Sequence, residues 1–147
     1  MISSYVWLNC VRISLNVPPP RTIPQENLVP VVTKLKEAYL AWQAALPHVA
    51  KARRQTIGAR IDDAILDALE SAFSASYLPV TQKIAALNSS IARLDVAKFL
   101  LLVGWECNAI TNAQHVRISG LLIDASKMLV GWRSYLEKKT PAGSERK

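Results

Sequence analysis

Residues 118–136 read ISGLLIDASKMLVGWRSYL, placing Ile118, Leu122, Ala125, Leu129, Trp132 and Leu136 at a 4-3-4-3-4 spacing. An α-helix brings residues at that spacing onto one face, and a strand does not. The same spacing runs through Leu28, Val32, Leu35, Tyr39, Trp42 and Leu46 and stops at Pro47. A second helix is expected after Thr56, a residue suited to cap it, with Asp62 and Asp63 near its positive end. Its face runs Ile57, Ile61, Ile65, Leu69 and Phe73, lined by Ala64, Ala68 and Ala72. A third helix, over roughly 80–110, sets Ile84, Leu87, Ile91, Leu94, Leu102 and Trp105 on one side. Trp42, Trp105 and Trp132 fall on these seams and are expected in the core. Beyond Pro30 only Pro47, Pro79 and Pro141 remain, each at a break, because a helix interior excludes proline. Connections near Pro47–Thr56, Tyr77–Thr81 and Thr111–Ala113 are short enough to make neighbours antiparallel. The expected fold is all-α: an up-down-up-down four-helix bundle over residues 27–139, followed by a flexible tail, 140–147.

The chain has 147 residues, half of them hydrophobic, which suits one domain with its own core. No apolar stretch approaches the roughly 18 residues of a membrane span, so no membrane is expected as partner. Cys10 and Cys107 form neither a disulfide framework nor a metal spacing, which points to a reducing cytoplasm. Residues 1–26 read as a separate arm. Pro18, Pro19 and Pro20 favour extended polyproline structure, and Val11, Ile13, Leu15 and Val17 alternate with polar residues as in a strand.

Two helices carry more apolar surface than one core can use. In the third, Val96, Phe99, Leu100, Val103 and Cys107 lie off the first seam; in the fourth, Val116, Ile123 and Val130 do the same. Leu66 adds to this on the second helix. A helix that is apolar around most of its circumference needs cover on more than one side, so a second copy is expected there.

Catalytic signatures are missing from the sequence. His48 and His115 are the only histidines, and no Glu-x-x-His, His-Glu-x-x-His, Cys-x-x-Cys, Walker A or Gly-x-Gly-x-x-Gly pattern occurs. Asp63, Asp67 and Glu70 form a helical stripe that reads as a solvated face rather than an acid–base pair. The expectation is a protein that is not an enzyme and uses no cofactor or metal.

Charge is the positive signal. Eighteen Lys and Arg against eleven Asp and Glu leave +7, a balance that attracts polyanions. Lys51, Arg53, Arg54 and Arg60 cluster at the start of the second helix, where arginine forks and helical N–H groups suit phosphate. Arg93, Lys98 and Arg117 extend the candidate nucleic-acid surface along helices three and four, with Lys127 and Arg133 beyond them.

Several motifs together resemble one family. Arg54-Gln-Thr-Ile-Gly-Ala-Arg60-Ile61, followed by Leu66-Asp-Ala-Leu-Glu70, is similar to the start of its second helix. Ala75-Ser-Tyr77, Ile91-Ala-Arg-Leu94, Ala97-Lys-Phe-Leu100 and Met128-Leu-Val-Gly-Trp132-Arg133 fit the same pattern, with Val130 replacing a glycine. The family comprises the accessory variability determinant proteins of diversity-generating retroelements and the related proteins encoded in intervening sequences of 23S ribosomal RNA genes. The resemblance covers residues 28–138 or so and leaves out residues 1–26. It implies a homopentameric barrel with a positive surface that binds a reverse transcriptase and nucleic acid, supporting mutagenic copying of a template RNA. The alternative is an oligomeric structural or protein-interaction bundle without a nucleic-acid role. Because the arm has strand-like alternation and no partner in an all-helical protomer, deleting residues 1–26 should leave helix content and melting temperature nearly unchanged, as read by circular dichroism.

Overall fold

The computed structural model describes residues 29–140. The arm over 1–26, Leu28, Cys10, and the tail apart from Thr140 lie outside the described residues. Within them the chain forms four long helices: α1 (Pro30–Ala45), α2 (Ala59–Ala75), α3 (Val80–Glu106) and α4 (Asn112–Lys139). Each packs on its chain neighbours, and α4 closes the ring against α1, so the four-helix bundle is up-down-up-down.

Prolines open α1 and α3. Pro30 occupies the first turn of α1, where its missing N–H costs nothing, and Pro79 immediately precedes α3. At the far end of α3, Asn108 adopts φ 57° and the Ala109 N–H reaches back to the Gly104 carbonyl at 2.8 Å, a left-handed stop that asparagine tolerates. Thr111 then caps α4. Its hydroxyl accepts from the Gln114 N–H while the Gln114 side chain accepts from the Thr111 N–H.

The core follows the 4-3-4 seams on α1 and α4: Val32, Leu35 and Trp42 on one, and Ile118, Leu122, Ala125, Leu129 and Leu136 on the other, are buried. Trp132 and Tyr39 are half-buried against it. Trp42 is fully enclosed, and its indole N–H donates to Asp62 Oδ1 at 3.1 Å, which also accepts from Gln43 at 2.6 Å. Burial first, and then the Asp62 charge, raise the Tyr39 phenol above its ordinary pKa.

On α3 the seam differs from expectation. The buried residues are Leu87, Ser90, Leu94, Ala97, Leu101 and Gly104, a leucine and a small residue alternating every seven positions. Leu102 and Trp105, expected inside, are 38 % and 39 % exposed. The reason is the width available beside α2, which buries Ala64, Ala68, Ala72 and Ala75 and makes the most extensive helix contact in the bundle with α3. Ser90 Oγ donates to the Ala68 carbonyl at 2.7 Å, and a Cβ on Gly104 would sit 3.4 Å from Ile61 Cδ1. No large side chain fits there.

Thr56 does not cap α2. It lies inside a continuous helical run, and its hydroxyl donates to backbone carbonyls of the preceding turn. The helix starts earlier, at Lys51. The small-residue seam makes a clear distinction between two variants. Ser90→Ala should lower stability by about 1 kcal/mol through the lost hydrogen bond. Ser90→Leu should cost about 3 kcal/mol or unfold the protein, because the seam cannot widen. Urea midpoints at unchanged slope measure both.

Candidate nucleic-acid interface

The basic cluster sits where α1 hands over to α2. After α1 a 3-10 turn, Leu46–His48, brings Val49 into the core, and Ala50 turns the chain with extended backbone angles. A short α turn, Lys51–Arg53, leads into a π-helical segment, Arg54–Gly58, that runs directly into α2. Gly58 permits that widened turn: a Cβ there would come within 3.2 Å of the Arg53 carbonyl oxygen. One extra residue in the turn rotates Lys51 and Arg53 by roughly 100° relative to an uninterrupted α-helix. Arg53 and Arg60, seven apart, are therefore not on one line.

The four cluster residues do different things. Arg54 folds back on the connection, its Nε donating to the Val49 carbonyl at 2.7 Å and an Nη to the Pro47 carbonyl at 3.3 Å. Its guanidinium ties the loop that holds the others. Lys51, Arg53 and Arg60 are exposed and have no carboxylate within 4 Å among the described residues. These three can meet phosphates without first breaking an ion pair.

Arg93, Lys98 and Arg117 do not continue one surface. Arg93 lies in the groove between α2 and α3, 3.6 Å from Asp67 and beside Arg60 and Asp63. Lys98 lies between α3 and α4, bonded to Asp95 at 2.7 Å and donating to Ser126 at 3.3 Å. Arg117 lines the opposite groove, between α1 and α4. Arg133 pairs with Glu137 and donates to Asn88, again beside α3. Of these, Arg93 adjoins Arg60 along α2; Lys98 and Arg117 point to other sides of the bundle.

Two aromatic features escape the sequence reading. Trp105 stacks on His115 with ring centroids 5.4 Å apart, and Lys83 sits 5.8 Å above the Trp132 ring. Both arise from residues on neighbouring helices, so no local spacing signals them. The acid stripe divides: Asp67 pairs with Arg93, while Asp63 and Glu70 have no cation within 4 Å among the described residues. No helix among the described residues is long and apolar enough to cross a membrane.

No family model matches the chain, and no curated protein or solved structure matches it. Arg54→Ala should lower stability by about 1 kcal/mol, since it frees two loop carbonyls, whereas Lys51→Ala and Arg53→Ala should leave the melting temperature within a degree or so. Thermal unfolding of the three single variants checks this.

Proposed function

We propose that this chain is a non-catalytic accessory protein of a diversity-generating retroelement, which holds template RNA or DNA on a basic surface and docks on the reverse transcriptase as an oligomer. The observation that carries the reading is the set of exposed, unpaired cations Lys51, Arg53 and Arg60, mounted on a helical start that Arg54 braces from behind. A net charge of +7 adds a general attraction for phosphate. The motif resemblance supports the retroelement assignment, and the four-helix architecture is the one that resemblance implies. Homopentameric assembly and the cytoplasm belong to the same reading.

Recognition of this kind is electrostatic. Phosphate contacts position a protein on nucleic acid without reading bases. The protein therefore serves many sequences, as a helper that follows a template along its length must.

A second reading has its own support. The outward face of α3 and α4 exposes Phe99 at 63 % and Val116 at 60 %, with Ile123 and Val130 beside them. A bundle whose business is protein interaction alone would carry such a face.

Fluorescence anisotropy with a labelled single-stranded RNA, titrated across salt, separates the two. Wild type should bind with log K falling linearly with log salt. The triple variant Lys51→Ala, Arg53→Ala, Arg60→Ala should weaken binding to all sequences alike and flatten the slope by about 1–2, at about 0.7 per single-strand phosphate lost. Unchanged binding by the triple variant would reduce the cluster to a solvated surface and move the positive face to Arg93, Lys98 and Arg117, whereas a wild type that binds no RNA would favour the interaction bundle.

A further inference from the structure

The bundle has a ridge on one side and a groove on another. The ridge is the outward face of α3, where Phe99 stands most exposed with Leu102 beside it. The groove runs between α1 and α4 and is floored by Ala41, Ala44, Gly120 and Leu121, with Leu40 55 % exposed on its wall. Gly120 is the telling residue. It sits in the middle of a 28-residue helix, where glycine costs about 1 kcal/mol relative to alanine, yet a Cβ there would meet nothing within 4 Å. Nothing inside the protomer asks for a glycine. Gly131, three turns further along the same side of α4, is equally open.

The heights of ridge and groove agree. Trp105 on His115, Lys98 on Ser126 and Arg133 on Asn88 fix the antiparallel register of α3 against α4. In that register Phe99 stands at the level of Gly120–Asp124. Glu106, at the end of the ridge, stands at the level of Arg117, at the corresponding end of the groove. Both charges are exposed, of opposite sign, and without an ion-pair partner within 4 Å among the described residues.

We propose that the α3 ridge of one copy seats in the α1–α4 groove of a second copy, with Phe99 over Gly120 and Glu106 meeting Arg117, in a head-to-tail contact between bundles pointing the same way. A contact between two different patches leaves one ridge and one groove free after each addition, so it propagates until a ring closes. The proposal deepens the oligomeric part of the function given above and names its surfaces. It also assigns Arg117 to the contact rather than to phosphate.

Two variants each spoil one half. Phe99→Asp puts a charge on an exposed ridge position, and Gly120→Leu fills the groove where the protomer has open space; both should retain wild-type helix content by circular dichroism. By light scattering, wild type should be an oligomer and each variant alone a 16.2 kDa protomer. Mixed one to one, the intact groove of Phe99→Asp should take the intact ridge of Gly120→Leu and give a particle of twice the protomer mass. A mixture that stays monomeric would overturn the ridge-in-groove contact. So would variants that stay oligomeric, an outcome that leaves RNA binding and the oligomeric reading standing. A monomeric wild type would overturn both this contact and that oligomeric reading.

Discussion

The bundle is organised by how closely α2 and α3 approach. Ala64, Ala68, Ala72 and Ala75 on one helix and Ser90, Ala97 and Gly104 on the other are buried; the Ser90 hydroxyl reaches the Ala68 carbonyl across the gap, and Gly104 lies against Ile61. Backbones that near leave no room for bulky side chains between them. The leucines of α3 then fill the centre of the bundle, toward Trp42 and the α4 seam, and its remaining large residues have only the outside left. Phe99, Leu102 and Trp105 are exposed because Ser90, Ala97 and Gly104 are not. The ridge is a by-product of the tight seam.

That origin explains what the sequence discloses and what it hides. On α1 and α4 the apolar residues are set off by Lys34, Lys36 and Glu37, or by Asp124 and Lys127, so spacing alone identifies the buried face. On α3 apolar residues surround the axis, and a reading that awards the core to the largest side chains selects Leu102 and Trp105 over Leu101 and Gly104. Small residues every seventh position were the available signal. They mark a close helix contact as surely as leucines mark a wide one.

The basic site is legible in composition and obscure in geometry. Four cations within ten residues are visible in any reading of residues 51–60. That Arg54 serves the loop, with its fork turned onto the Val49 and Pro47 carbonyls, depends on a chain reversal that the sequence shows only as a proline. The widened turn at Arg54–Gly58 is hidden for a similar reason: Thr56 looks like a cap to any rule that counts residues in α-helical steps. Arg93, Lys98 and Arg117 share a charge sign, yet the bundle distributes them over three grooves.

The π-helical turn has a further consequence for how such a chain can diverge. A helix interrupted by one surplus residue can lose that residue and heal, without disturbing Ile61, Ile65 or anything downstream in the core. The cost falls on the residues upstream, which swing about the helix axis by the angle of a single step. A one-codon deletion within residues 55–57 would thus re-aim Lys51 and Arg53 relative to α2 while conserving their number and their charge. Lineages descended from one such protein could exchange charge placements through a single indel, with no substitution in the basic residues at all.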